Sequence, residues 1–253
     1  MVLASLERQT LKDFEVVICD DGSRSEIVSE LKEHMKKSTL TWSHVWHEDL
    51  GFRKNRILNL GIIKAKSDFL IFVDADCLLH PEFVKEYYEH RELKTVLSGR
   101  RVELSPWITQ NLSEDKIRSG YLEKNMWWML LAISFRKDSN SPKGVYIKNK
   151  LIRSLITQKH RPIVGSNFAG NKIDFESVNG FDLRYEGVGI GEDSDIDYRL
   201  QLNGVKVKSM TNIAVQYHMW HPYKDRPSVN EKLFEEVQKE KKARTDFGLQ
   251  QMK

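Results

Sequence analysis

Phe69-Leu70-Ile71-Phe72-Val73-Asp74-Ala75-Asp76 is the stretch from which the fold is read. Five consecutive apolar residues suit a central strand covered on both faces. The two aspartates follow where that strand must end and side-chain alternation is lost. Arg53 to Lys66, just upstream, reads as a helix with Ile57, Leu60, Ile63 and Ala65 on or near one face. Pro81, just downstream, stands at the first turn of another helix, where proline is tolerated. Phe14-Glu15-Val16-Val17-Ile18-Cys19 repeats the arrangement, a short β-rich run ending in Asp20-Asp21-Gly22-Ser23. Between the two runs lie a helix over Ser23 to Lys37, with Ile27, Leu31 and Met35 four apart, and a strand over Thr39 to Trp46. Thr95 to Val102 is a further strand. Strand–helix–strand at this spacing predicts an α/β, Rossmann-like domain with a mostly parallel central sheet flanked by helices. Ligands of such sheets bind outside the carboxyl ends of the strands, where both acidic clusters fall.

The second half is less regular. Ser113 to Phe135 is largely helical by pattern, Ser139 to Gly144 is a loop, and Pro162 to Phe168 suits a strand. Gly187, Gly189 and Gly191 make a loop leading into Glu192-Asp193-Ser194-Asp195 and a helix with Ile196 and Leu200 four apart. Val205 to Met210 and Ile213 to Tyr217 are strands, and Lys232 to Arg244 is a charged helix. No linker divides the chain, so one compact domain is expected.

Composition excludes several classes. Lys+Arg 40 against Asp+Glu 36 gives a net charge of +4 over 253 residues, too even for a polyanion binder, so no nucleic-acid partner is expected. Hydrophobic content of 40% and charged content of 30% describe a globular chain. The two cysteines, Cys19 and Cys77, supply neither a disulfide framework nor a cysteine zinc site. They point to a reducing, cytoplasmic compartment. The longest uncharged mid-chain stretch, Asn125 to Phe135, is shorter than the roughly 20 residues of a membrane span. No basic-then-apolar leader opens the chain. Residues 136 to 161 hold eight Lys/Arg and only Asp138 on the acidic side, and Met126-Trp127-Trp128-Met129-Leu130-Leu131 precede them. Segment 124–161 reads either as a buried helix with a solvated loop or as a peripheral contact with an anionic membrane, at its inner face.

The acidic clusters have definite chemistry. Two carboxylates at a strand end repel and favour a hard divalent cation, which takes oxygen ligands and bridges to a diphosphate. Asp20-Asp21-Gly22-Ser23 serves equally as a turn and N-cap or as a carboxylate pair accepting hydrogen bonds from a nucleobase or ribose. Acidic residues at 192–195 suit a helix N-terminus, and they also place a general base within reach of a hydroxyl proton. His218-Met219-Trp220-His221 offers imidazoles that are either structural or metal ligands.

Taken in order, these residues resemble glycosyltransferase family 2 enzymes with the GT-A fold. Leu6-Glu7-Arg8-Gln9-Thr10 followed by Phe14 to Ser23 looks like the family's helix–strand–DDGS opening. Gly51-Phe52-Arg53-Lys54-Asn55-Arg56-Ile57-Leu58-Asn59-Leu60-Gly61 looks like its donor-binding helix, and Asp74-Ala75-Asp76 like its metal motif. Asn179-Gly180-Phe181-Asp182 through Gly191-Glu192-Asp193-Ser194-Asp195-Ile196 is similar to the C-terminal segment of β-1,4-galactosyltransferases. The resemblance covers about residues 1 to 222 and is weakest between 103 and 161.

The resemblance implies a donor-binding half over 1–102, an acceptor-binding and catalytic half over 103–222 and a C-terminal helix over 223–253. Asp20, Asp21, Phe52, Lys54, Arg56 and Asp74 would bind a UDP-sugar. Asp74, Asp76 and His218, with His221 as second choice, would hold Mn²⁺ or Mg²⁺. Asp193 would be the catalytic base, with Glu192 positioning donor or acceptor. The implied activity is metal-dependent, inverting transfer to a glycan or lipid-linked acceptor in surface polysaccharide biosynthesis. A sugar-nucleotide nucleotidyltransferase and a degenerate, non-catalytic glycan-binding domain are the alternatives. The sequence departs from the family in three ways. The helix pattern of Val2, Leu3 and Leu6 stands where the family has an opening strand, so that strand is expected to be missing. No tryptophan interrupts Gly187-Val188-Gly189-Ile190-Gly191, so galactose is not implied. Ser194 replaces an acidic residue.

Overall fold

The computed structural model describes residues 1–128, 131, 141–156, 161–187, 189–222 and 229–252. In chain order these form α1 (Val2–Glu7), β1 (Glu15–Asp20), α2 (Ser25–Lys36), β2 (Thr41–Trp46), α3 (Lys54–Lys64), β3 (Phe69–Val73), β4 (Cys77–Leu79), α4 (Phe83–Glu89), β5 (Thr95–Ser98) and β6 (Arg100–Glu103). There follow α5 (Pro106–Gln110), α6 (Glu114–Arg118), α7 (Tyr121–Lys124), α8 (Lys150–Ile156), β7 (Asn167–Asn171), α9 (Lys172–Ser177), α10 (Asp193–Leu202), β8 (Lys206–Ser209), β9 (Val215–His218) and α11 (Glu231–Glu240).

The α/β class is as expected, but the sheets are mixed. β1 pairs with β2 in parallel. A four-stranded sheet runs β3-β7-β5-β8 and a three-stranded one β4-β9-β6. β3–β7, β5–β7 and β4–β9 are antiparallel, whereas β5–β8 and β6–β9 are parallel. The sequence hides this because β7 and β9 return from the irregular second half and slot between first-half strands. Thr95 to Val102, expected as one strand, divides at Gly99 into β5 and β6, which join different sheets. A side chain at 99 would stand 2.4 Å from the Asn167 amide, so the chain crosses between sheets at its one glycine there. The long helix expected over Ser113 to Phe135 is broken at Gly120, which has φ +78; residues 129–130 and 132–135 lie outside those described.

β3 also differs from expectation. All five of its residues are only half-buried, although the run is wholly apolar. Both faces are covered: Leu70 and Phe72 pack with Ile62, Phe168 and Phe175, and Phe69, Ile71 and Val73 pack with Phe83 and Tyr87. The exposure therefore comes from the strand's edge. Among the described residues β3 pairs only with β7 and β1 only with β2. α3 packs along β1 and, through Leu58 and Ile62, joins the cluster holding Leu70 and Phe72. At the foot of β1, Glu15 Oε1 accepts the Lys66 N–H at 2.6 Å. At the top, Arg53 N–H bonds Asp21 and Lys54 bonds Asp74. β1 and β3 thus run in the same direction, and their carboxyl ends are brought together by the first turn of α3.

Candidate active site

The three-stranded sheet lays out the first part of the site. Cys77 and His218 are opposed in the β4–β9 register, and Glu103 and His218 in the β6–β9 register. Met219 N–H bonds the Asp76 carbonyl at 2.9 Å, fixing Asp76 at the end of the same row. His218 Nε2 stands 3.2 Å from Asp76 Oδ2 and Nδ1 stands 2.5 Å from Glu103 Oε2. Burial opposes charge on His218, but its hydrogen bonds to two carboxylates push its pKa up to about 9. Burial likewise opposes charge on Asp76, yet His218 holds its carboxyl down to about 2. The exposed His221 reaches the same Asp76 oxygen at 3.6 Å.

Lys54 organises the second part. Its Nζ bonds Asp74 Oδ1 at 2.9 Å and Glu192 Oε1 at 2.8 Å. Burial disfavours the ammonium, and the two carboxylates more than restore it, so its pKa lies above the usual lysine value. Burial raises the Glu192 carboxyl against the opposing pull of Lys54. Asp193 begins α10, and its Oδ2 accepts the Gly165 N–H at 3.1 Å. A Cβ at 165 would meet Glu192 Oε1, the movable end of that side chain, at 2.7 Å, so glycine lets Glu192 approach closely. Beneath this loop Arg199, 1% exposed, bonds Asp195 Oδ2 and the carbonyls of Val178 and Gly180. Gly191, at φ +139, lets the loop pass Tyr185, whose ring would lie 2.2 Å from an added Cβ.

The third part lies at the ends of β1 and β2. Asp20 Oδ2 and His44 Nε2 are 3.0 Å apart, and Asp20 Oδ1 accepts the Ser23 N–H. Asp21 Oδ2 accepts the Arg53 N–H at 2.9 Å. His47 Nε2 lies 3.0 Å from Asp21 Oδ1, but both atoms are buried and neither has a hydrogen-bond partner among the described residues. Phe52 is half-buried, and its carbonyl accepts the Gly187 N–H, tying the glycine loop to α3. Arg56 is exposed on the first turn of α3. The structure thus joins Asp74 to Glu192 through Lys54 and Asp76 to His218, while Asp20 and Asp21 take histidine partners.

A family model, glycosyl transferase family 2, matches residues 2–132. The chain belongs to this family. A second model, described as the N-terminal domain of galactosyltransferase, matches residues 155–222. Among curated relatives of this family 2 chain, chondroitin synthase of Escherichia coli is 25% identical over 86% of this chain and 32% of its own length. Validoxylamine A glucosyltransferase of Streptomyces hygroscopicus subsp. jinggangensis is 28% identical over 80% of this chain and 48% of its own length. The chain therefore spans less than half of either relative. In fold it is similar to GalNAc-T7, solved with UDP, GalNAc and Mn²⁺, at TM-score 0.59 and 16% identity over 86% of this chain and 40% of that one. The Pyrobaculum calidifontis mannosyltransferase PcManGT, solved with GDP-Man and Mn²⁺, gives 0.54 and 16% over 86% of this chain and 52% of that one. The GT-A architecture expected from the sequence is the architecture of these structures.

The donor set of this family 2 chain suits a hard cation. Asp76, Cys77 and His218 offer donor atoms within 4.8 Å of one another. Burial and the charges of Asp76 and Asp74 raise the Cys77 thiol far above its usual range, and in the metal-free protein Sγ–H donates to Asp76 Oδ1 at 3.2 Å. Beside it stand a carboxylate oxygen and an imidazole nitrogen, the donors a Mn²⁺-type site uses. Asp74 stands outside this group, held by Lys54.

Sequence reasoning missed His44, His47, Arg53, Arg101, Glu103 and Gly165. His44 and Glu103 meet the site through strand register and His47 through the segment that follows β2, none of which a local motif reveals. The basic stretch also needs correction. Arg136, Lys137 and Lys159 lie outside the described residues, but Arg153 is buried and bonded to Glu86, not part of a solvated basic face. Trp127 and Trp128 are each 76% exposed. Among the described residues no helix is long and apolar enough to cross a membrane.

Proposed function

We propose that the chain is a metal-dependent, inverting glycosyltransferase that moves a sugar from a UDP-sugar to a glycan or lipid-linked acceptor. The observation that carries this reading is Lys54, bonded at once to Asp74 and Glu192. This one cation joins the strand end beside the Asp76–His218 pair to the loop that presents Asp193. The relatives' printed names and the UDP and Mn²⁺ in the GalNAc-T7 structure support the reaction class and the donor.

Asp76 and His218, with Asp74 or His221 completing the set, would hold Mn²⁺ or Mg²⁺. When bound, the cation offsets negative charge on the diphosphate leaving group. The rest follows from the chain's own residues. Asp21, whose Oδ1 lies 3.0 Å from His47 Nε2 and whose Oδ2 accepts the Arg53 N–H, would offer its carboxylate to a ring N–H of the base once His47 gives way. Lys54 places a positive charge beside the diphosphate, with Phe52 and Arg56 at the same end of α3. Asp193 takes the proton of the acceptor hydroxyl as that oxygen attacks the anomeric carbon, and Glu192 orients the sugar. One attack from the face opposite the leaving UDP inverts the anomeric centre and needs no covalent sugar–enzyme intermediate. The exposed Trp127, Trp128 and Leu131 support a lipid-linked acceptor. Residues 1–102 would then bind the donor, and 103–222 the acceptor.

Incubation of the chain with Mn²⁺ and a panel of UDP-sugars, read by UDP release and by NMR of the anomeric proton, tests the proposal. Release with retained configuration would overturn the inverting mechanism, and no release with any UDP-sugar would overturn the donor class.

A further inference from the structure

The carboxylate on the far side of the His218 ring has no part in the reading above. Glu103 closes β6, directly opposite His218 in the parallel β6–β9 register, and Leu104 N–H bonds the His218 carbonyl at 2.9 Å. Its two oxygens are divided. Oε2 meets His218 Nδ1 at 2.5 Å, and Oε1 accepts from Arg101 Nε at 2.7 Å. Arg101, two residues earlier and so on the same face of the strand, also reaches Ser166 Oγ at 3.4 Å. The resulting row is Arg101–Glu103–His218–Asp76, built across the sheet.

An imidazole has two nitrogens, and the partner of one sets the tautomer and orientation of the other. A carboxylate only accepts, so Glu103 requires the proton on Nδ1. Nε2–H donates to Asp76 Oδ2 at 3.2 Å in the metal-free protein, and loss of that proton frees the Nε2 lone pair for a cation beside Asp76. Arg101 fixes the other Glu103 oxygen, which keeps the carboxylate from turning away. We propose that Glu103 is a positioning residue of the metal site: it holds His218 as an Nε2 ligand, and Arg101 holds Glu103. This inference rests on the metal-site reading above and adds to it a residue that does not touch the metal. Carboxylate–histidine partners of this kind typically change metal affinity by about 10- to 100-fold when removed.

The test is an EPR titration of Mn²⁺ into the chain at saturating UDP, for wild type, Glu103→Gln and Glu103→Ala. Thermal unfolding of each metal-free protein establishes that the fold is retained. The expected result is Mn²⁺ binding weakened about 10- to 100-fold in Glu103→Ala. Glu103→Gln keeps the shape and an accepting oxygen, so its loss is smaller, at about 10-fold, the low end of that range. Should Glu103→Ala not fold, the Glu103→Gln titration decides by itself. Wild-type affinity in the folded variants would overturn the positioning role while leaving the metal site intact. Failure of wild type to take up Mn²⁺ with UDP would overturn the metal-site reading and this inference with it.

Discussion

Lys54 on α3 and Glu192, 138 positions later, meet at 2.8 Å. The contact joins the two halves of the chain at the carboxyl ends of the strands, and Asp74 shares the same ammonium at 2.9 Å. Removing the cation leaves two carboxylates without their common counter-charge. Loss of one partner of a fully buried pair costs about 3–5 kcal/mol. Here Lys54 and Glu192 retain 20% and 23% of their exposure, and solvent screening reduces the figure to about 1–3 kcal/mol. Urea unfolding of Lys54→Met is expected to show that loss, and unchanged stability would mean that the three groups are independent.

Arg199 and Asp195 are each only 1% exposed in their side chains, and the arginine also satisfies two turn carbonyls. Arg199→Met is expected to cost about 3–5 kcal/mol, because it strands a buried carboxylate. The double variant Arg199→Met/Asp195→Leu should recover part of that loss. A double-mutant cycle in urea measures the coupling, and simple additivity of the two losses would contradict it.

His218 and Asp76 each contribute to the pH dependence of the metal-free protein. The His218 pKa rises on folding from 6.5 to about 9. Its contribution to stability is therefore complete below pH 6.5 and is lost as pH climbs through 9. The Asp76 pKa falls from 3.8 to about 2, so its contribution is present above 3.8 and is lost as pH drops through 2. In EDTA, the Tm should decline between pH 6.5 and 9, and His218→Gln should flatten that decline. Mn²⁺ binding should strengthen over the same interval, because the proton on Nε2 must leave first. A parallel decline in His218→Gln would assign the slope to other groups.

Asp193 accepts the Gly165 N–H with one oxygen and the Ser194 hydroxyl, at 3.3 Å, with the other. Asp193→Asn keeps the shape and removes the basicity. Transfer should fall by about 10²–10⁴-fold, the usual scale for a general base, while UDP affinity by calorimetry stays unchanged. Normal turnover would remove Asp193 from the base role.

Much of the fold was legible because it is written locally. α3, β3 and α10 lie where Ile57, the Phe69–Val73 run and Ile196 put them. The antiparallel partners were not legible. β7 and β9 enter from distant segments, and nothing in Asn167–Asn171 or Val215–His218 states which edge it joins. Asp76 and His218 could be joined in one metal site only through the family resemblance, whereas Glu103 could not be named at all, since its part depends on a strand register. Gly99 was silent because its role is to leave room for Asn167. The half-burial of β3 was hidden too, because an apolar run reads the same whether both of its edges are paired or only one.

The most direct test of the account is thermal unfolding with UDP, with Mn²⁺ and with both, on wild type and on Asp76→Ala. A ligand that binds only the native state raises its apparent stability by mass action. The expected result is a rise in Tm that needs both ligands and disappears in Asp76→Ala. A rise of equal size in the variant, or none in wild type at saturating UDP and Mn²⁺, would contradict a nucleotide–metal site built on Asp76 and His218.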